Sequence, residues 1–317
     1  IWGMAKNGEG SGSIYNDGDG DVNYFRASSR TDSRHVSKAR DNAPRNIVFD
    51  TVTITGVGRN PVYFAPGVTH SKLINSDVKG KSDHVAVYLD AESYGNTICG
   101  NDIHTSTGGD DYFGLAPDRP LIAIDASSHN KLTSNRFSSL DHGGVNLYRN
   151  CGQGGTIRHS APSHNQIVNN IFYYDKYKGA NPAVYLGSRN RGSWTGYLNP
   201  WNFCGDDEGD HNVGSSASNK DHAQYNVIMR NQFYKRSIRK TQGFYNTLAK
   251  ASVGDMIKSK DWQNNSGNEI GQNEMVTDET LVKDLPGGCY EADAYMRHLL
   301  LEEETISPFD GTAGSAL

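Results

Sequence analysis

Between His142 and Arg191 the chain concentrates side chains suited to handling an anion. Arg149, Arg158, Lys176, Lys178, Arg189 and Arg191 stand there against a single acid, Asp175. A planar guanidinium grips a carboxylate through two parallel hydrogen bonds. His142, Tyr148 and His159 lie among these cations and are candidates for taking or giving a proton. Histidine serves at its ordinary pKa, whereas tyrosine needs neighbouring cations to bring its phenol down. Together these types fit removal of a proton alpha to a carboxylate, with positive charge offsetting the carbanion-like state that develops. Each member alone also has an ordinary use, as a turn histidine or a surface ion pair. The grouping carries the expectation.

A second set is acidic. Asp90 and Asp125 close two similar segments, Val87-Tyr-Leu89-Asp90 and Ile122-Ala-Ile124-Asp125. If these segments stack as neighbouring strands, the carboxylates sit about 4.8 Å apart, near the spacing with which two carboxylates cleave a glycosidic bond with retention. Asp110, Asp111 and Asp141 are alternates for either. The competing role is turn closure through local backbone hydrogen bonds. Asp17-Gly-Asp19-Gly-Asp21 alternates oxygen ligands as a calcium loop does, but Val22 stands where an EF-hand requires Gly and Ser28 where it requires Glu. Asp206, Asp207, Glu208 and Asp210 form a denser group and are the candidate calcium ligands.

The elements that must position these residues are read from a repeat, Asn-x-(Ile/Leu)-x-x-Asn. It occurs as Asn96-Thr-Ile98-Cys-Gly-Asn101, Asn130-Lys-Leu132-Thr-Ser-Asn135, Asn165-Gln-Ile167-Val-Asn-Asn170, Asn226-Val-Ile228-Met-Arg-Asn231 and Asn268-Glu-Ile270-Gly-Gln-Asn273. Degenerate copies begin at Asn46 and Ser71, so the first three copies start at 46, 71 and 96, 25 residues apart. That step is short for helical repeats and suits one coil of a solenoid of short strands, with apolar residues inside and polar ones at the corners.

A second strand family precedes the motif: Val62-Tyr-Phe64, Val87-Tyr-Leu89, Ile122-Ala-Ile124, Val145-Asn-Leu147 and Val184-Tyr-Leu186. Period-two alternation turns the first and third residues inward and the middle one outward. The outward column is then Tyr63, Tyr88, Ala123, Asn146 and Tyr185, and the next column is Ala65, Asp90, Asp125, Tyr148 and Gly187. Outward tyrosines suit a sugar face, because a ring covers apolar area while its hydroxyl stays wet; Tyr63, Tyr88, Asn146 and Tyr185 are the candidate substrate contacts. They are also ordinary sheet-surface residues.

Three regions carry the domain reading: an irregular cap over 1–43, the solenoid over 44–275, and a cap and tail over 276–317. Insertions at 105–119, 150–163 and 187–222 interrupt the solenoid. Long irregular stretches in a compact architecture tend to carry function, and these are expected to project from one side as groove walls. Glu291–Glu304 holds the strongest helical pattern, with Tyr295, Met296, Leu299 and Leu300 on one stripe. Its expected role is to cover the last coil.

The Asn-x-Ile-x-x-Asn repeats over roughly 44–275 resemble the right-handed parallel β-helix superfamily, and most closely its pectate-lyase-like and periplasmic copper-protein-like carbohydrate-active groups. The resemblance implies an all-β, single-stranded right-handed parallel β-helix with long loops on one side. It also implies action on polysaccharide, ranging over lyases, glycosidases and epimerases. Joined to the basic stretch, it makes β-elimination on a uronate-containing polysaccharide the leading expectation, with His142, Tyr148, Arg149, Arg158, His159, Arg189 and Arg191 as the site. Hydrolysis by an Asp pair and a carbohydrate-binding solenoid without catalysis are the alternatives.

Bulk properties agree with a polar solenoid: 35% of residues are hydrophobic, 35 are glycine and the formal net charge is -5. The net charge hides an asymmetry, because Glu269 to Asp310 holds eleven acids against two bases. A positive patch on an acidic protein concentrates anionic ligands. The absence of a recognised motif and the sign of the charge turn the expectation away from nucleic acid. No apolar run approaches the roughly 20 residues of a membrane span. The opening Ile1-Trp-Gly-Met-Ala-Lys has no signal-peptide pattern, and a chain beginning on Ile reads as trimmed; secretion or a periplasmic location is expected from the polymer substrate. Of the four cysteines, Cys99 reads as a small buried thiol within a repeat, and Cys151 with Cys204 is a candidate disulfide.

Overall fold

The computed structural model describes residues 40–41, 43–108, 119–140, 142–149, 160–174, 182–187, 222–235, 252–259, 266–276 and 289. Successive short strands fall in turn into three sheets, and every pairing between neighbouring strands is parallel. The first sheet holds β1 (Val48–Asp50), β4 (Lys72–Ile74), β7 (Thr97–Cys99), β11 (Lys131–Thr133), β14 (Gln166–Val168), β17 (Val227–Met229) and β20 (Glu269–Gly271). The second holds β2 (Thr53–Gly58), β5 (Asp77–Ser82), β8 (Asp102–Ile103), β12 (Arg136–Phe137), β15 (Ile171–Tyr174), β18 (Gln232–Lys235) and β21 (Glu274–Val276), with β9 (Ser106–Thr107) paired to β5. The third holds β3 (Val62–Phe64), β6 (Val87–Leu89), β10 (Ile122–Asp125), β13 (Val145–Tyr148), β16 (Val184–Leu186) and β19 (Ile257–Ser259). This is an all-β, β-helix-like arrangement. The only named helix among the described residues is one turn, α1 (Val253–Met256), leading into β19.

The interior is a column of side chains contributed once per coil. Leu73, Ile98, Leu132, Ile167 and Ile228 come from the first sheet, Phe137, Phe172 and Phe233 from the second, and Val87, Leu89, Ile124, Leu147 and Leu186 from the third; all are fully buried. The phenylalanines stack along the axis at 5.0 and 5.5 Å between ring centroids. Each such side chain contributes about 1.5–3 kcal/mol by leaving water.

The repeated asparagines build two ladders on either side of the first sheet. One runs through Asn96, Asn130, Asn165, Asn226 and Asn268, the other through Asn101, Asn135, Asn170, Asn231 and Asn273. At each rung Oδ1 accepts from the backbone N–H and the Nδ2 of the asparagine one coil earlier, as Asn135 does from Asn101 at 3.0 Å each. Nδ2 then reaches a carbonyl in that earlier coil, for Asn135 that of Ile98 at 2.8 Å. The corners are therefore polar but not presented to solvent: from Asn96 to Asn231 the ladder residues are at most 2% exposed. Their amides satisfy backbone groups that a sharp corner would otherwise leave unpaired. The residue before each rung has positive φ, including Gly95, His129, His164 and Tyr225 on one ladder and Gly100, Ser134, Asn169 and Arg230 on the other.

Cys99 is not a free thiol. It forms a disulfide with Cys289 across 190 residues, and the Cys289 backbone N–H donates to Asn75 Oδ1 at 2.7 Å. Alternation explains the pairing: Ile98 faces the core, so Cys99 and its neighbour Ile74 face outward, where Cys289 covers them. β13 and β16 end at the C-terminal edge of the third sheet, and the stretches that follow them in the chain, 150–159 and 188–221, lie outside the described residues. Of the 105–119 stretch, Ser106–Thr107 forms β9, paired to β5 of the second sheet, and 109–118 lie outside the described residues. The predicted helix over Glu291–Glu304, the Asp17–Asp21 loop and the Cys151 and Cys204 pairing lie outside the described residues.

Candidate functional site

The third sheet sets the geometry. Its register aligns Tyr63 with Tyr88, Tyr88 with Ala123, Ala123 with Asn146 and Asn146 with Tyr185, the column expected from alternation. Flanking residues such as Val62, Phe64, Val87 and Leu89 are buried, while Tyr63, Tyr88, Asn146 and Tyr185 are half-buried; Ala123 is the one fully covered member. The Tyr63 and Tyr88 rings lie 5.7 Å apart with a 32° tilt. Burial holds the Tyr185 phenol above its ordinary pKa, so it is neutral near pH 7 and is not poised as a base.

Two residues further along, Asp125 is in register with Tyr148, and Asp90 follows Leu89, which pairs with Ile124. Asp90, Asp125 and Tyr148 therefore occupy one column at the C-terminal end of the sheet. Tyr63 and Tyr88 each reach one coil forward to this column: Tyr63 donates to Asp90 Oδ2 and Tyr88 to Asp125 Oδ2, both at 2.5 Å. Asp90 Oδ1 also accepts from the Ala91 backbone at 2.8 Å, the turn-closing role weighed against catalysis. Both carboxylates are buried, at 1% and 0% exposure. Arg149 follows Tyr148 directly and is also buried.

Glu92 joins this corner and was not singled out from the sequence. It is fully buried with φ +63°, and its carboxylate accepts from the backbone N–H of Ser160 at 3.2 and 3.1 Å and from the Ser160 hydroxyl. Arg40 Nε donates to the Glu92 carbonyl at 2.9 Å. The signal available was an acid two residues after Asp90 in a tight turn, which solvated turns share.

The same corner carries a ladder of rings. His70, Tyr94, His129, His164 and Tyr225 follow one another at 5.8, 4.6, 4.7 and 5.3 Å, with Arg40 over Tyr94 at 4.5 Å. His129, His164 and Tyr225 stack face to face, Tyr94 leans onto His129 at a tilt, and His70 meets Tyr94 edge-on, so most ring faces are taken up by neighbours. The ladder therefore buttresses the corner and makes a poor platform for a sugar ring. His129-Asn130, His164-Asn165 and Tyr225-Asn226 carried this signal in the sequence, one residue ahead of the motif.

His142 and Tyr148 are not brought together. His142 precedes β13 and Tyr148 ends it, with about 10 Å of strand between Val145 and Tyr148. The His142 ring instead lies beside Gly108, where a Cβ would come within 3.3 Å of Nε2. Arg158, His159, Arg189 and Arg191 lie outside the described residues. So do the alternates Asp110, Asp111 and Asp141 and the calcium candidates Asp206, Asp207, Glu208 and Asp210. Among the described residues no group of three or more His, Cys, Asp or Glu is arranged to hold a metal ion. Comparison with protein-family models, curated proteins and solved structures finds no match to this chain.

Proposed function

We propose that this chain binds an acidic polysaccharide along the outer side of the third sheet and cleaves it by β-elimination. The observation that carries the reading is the adjacency of Tyr148 and Arg149 at the end of β13, beside the column of Tyr63, Tyr88, Asn146 and Tyr185. In the reaction, a base takes the proton alpha to the uronate carboxylate. The C–H electrons form the new double bond, and the glycosidic oxygen leaves from the adjacent carbon and takes up a proton. Tyr148 is assigned the proton transfer and Arg149 the offset of carboxylate charge, with Arg158, His159, Arg189 and Arg191 as further members. Calcium at Asp206, Asp207, Glu208 and Asp210 is part of the proposal, as a brace for the stretch that holds them.

The same reading takes the solenoid as a right-handed parallel β-helix of the pectate-lyase-like superfamily, capped by a helix over Glu291–Glu304; right-handed crossovers dominate parallel sheets. The Cys99–Cys289 disulfide supports export to an oxidising compartment.

Hydrolysis is the second reading, favoured by Asp90 and Asp125 standing one coil, about 4.8 Å, apart in one column. Incubation with uronate polymers and neutral glycans, with calcium and with a chelator, separates the two. β-Elimination yields an ultraviolet-absorbing unsaturated product. New reducing ends without that absorbance assign the chemistry to the Asp pair, and neither signal reduces the protein to a binding solenoid.

A further inference from the structure

The opposite rim of the third sheet carries a separate feature. Where the chain turns from the second sheet into the third, successive coils present Arg59, His84, Arg119 and His142. Backbone contacts fix this order. Asp83 N–H donates to the Gly58 carbonyl at 2.7 Å and Gly108 N–H to the His84 carbonyl at 3.4 Å, so the turns at 58–59, 83–84 and 108 stack in sequence. Arg119 is held by its carbonyl, which accepts from Thr107 Oγ1 at 2.8 Å, and the Leu121 N–H donates to the Gly143 carbonyl at 3.0 Å, beside His142. The His142 ring closes over Gly108.

All four side chains reach solvent: Arg59 is exposed and the others are half-buried. Neither Arg59 nor Arg119 has a carboxylate partner among the described residues. Burial, and then the fields of Arg119 and Arg59, hold His84 below its ordinary pKa, against the opposing pull of Asp83. The two guanidinium fields thus converge on one spot, with Asp83 the acid that tempers them. Two cations kept close without carboxylates to neutralise them favour an anion that the protein does not itself supply.

We infer that the Arg59–His84–Arg119–His142 rim is an anion-binding subsite, taking the carboxylate or sulfate groups of a linear acidic glycan that runs along the solenoid axis. It rests on the reading of the third sheet as an acidic-glycan face and adds a second, separate place on that sheet where the ligand's anionic groups are held. With coils about 4.8 Å apart, the rim spans some four coils and sets the Arg59 and Arg119 cations two coils apart with imidazole donors in the same column, matching a repeating polyanion better than a single small one. The sheet then has two rims of different use, cationic for holding at its N-terminal side and Asp–Tyr–Arg for chemistry at its C-terminal side. His142 belongs to holding.

The test measures binding of the full chain to a polyuronate, a sulfated polysaccharide and a neutral glucan, by affinity electrophoresis and calorimetry at low salt. R59Q/R119Q is compared with wild type and with K72Q/K131Q, which removes two exposed lysines from the first sheet. The inference expects wild type to bind at least one polyanion and not the glucan. R59Q/R119Q should bind that polyanion about tenfold or more weakly, and K72Q/K131Q as wild type does. Preference between the two polyanions identifies carboxylate or sulfate. Undiminished binding by R59Q/R119Q, equal binding of the neutral glucan, or no binding of either polyanion overturns it. R59K/R119K, which keeps charge, guards against a folding defect by retaining most of the affinity. Loss of binding in R59Q/R119Q without any unsaturated product from wild type would leave the subsite standing while removing the β-elimination reading.

Discussion

A ladder asparagine engages four groups at once, so its removal should register far beyond an ordinary surface change. Asn135 accepts from the Asn101 backbone and side chain and donates to the Ile98 carbonyl and to Asn170 Oδ1. All of these lie in a buried corner, and N135A strands several of them, at about 3 kcal/mol or more. Asn273 makes the same kind of bonds to Asn231 and Ile228 but is half-exposed, so water can replace it; N273A is expected to cost about 1 kcal/mol. Urea unfolding of both variants checks this, and equal losses would contradict the assignment. His129 makes a second residue-scale prediction. Burial first, then His164 and Arg40, holds its pKa below the ordinary value. The unfolded chain then takes up the proton more readily, so stability falls as pH drops below about 6.5 and levels off below the lowered folded value. Thermal melts across this range should be flatter for H129Q, which leaves the same-signed contribution of His84; superimposable pH profiles would reject the mechanism.

At the scale of elements, the turn within β2 and β5 shows how tightly neighbouring coils approach. Gly80 has φ +94°, and a Cβ there would lie 2.3 Å from the Gly56 carbonyl oxygen, whereas a Cβ on Gly58 meets nothing within 4 Å. G80A is expected to cost about 3 kcal/mol or more and G58A less than about 0.5 kcal/mol, measured by thermal or urea unfolding. Elements were also where the sequence was most legible. The spacing Asn-x-Ile-x-x-Asn states a buried centre between two polar corners, and Val-Tyr-Leu states its own alternation, so both sheets and the Tyr63 to Tyr185 register follow from pattern alone. What pattern could not supply was partnership across coils. The Tyr63–Asp90 and Tyr88–Asp125 bonds depend on side chains one coil apart, and Glu92–Ser160 joins residues separated by 68 positions. The disulfide was hidden for the same reason. Cys99 sits in a strand whose next residue outward is supplied only by a distant segment, so local reading saw a thiol in a repeat.

At the scale of the whole molecule, Cys99–Cys289 ties the C-terminal segment back to the outer face of the first sheet. Reduction, or C289S, should destabilise by about 2–5 kcal/mol, seen as a lower urea midpoint with reductant and checked by peptide mapping of the oxidised chain. Unchanged stability on reduction would show that the tie contributes nothing. The proposed holding and proton-transfer groups stand at opposite ends of the third sheet's strands, so they cannot share one reacting atom. The most direct test of the central claim compares wild type with Y148F on uronate polymers, following the ultraviolet absorbance of the unsaturated product. The account predicts product from wild type and at least about 100-fold slower formation by Y148F with binding retained. Product formation undiminished in Y148F, or none by wild type on any uronate polymer, would contradict it.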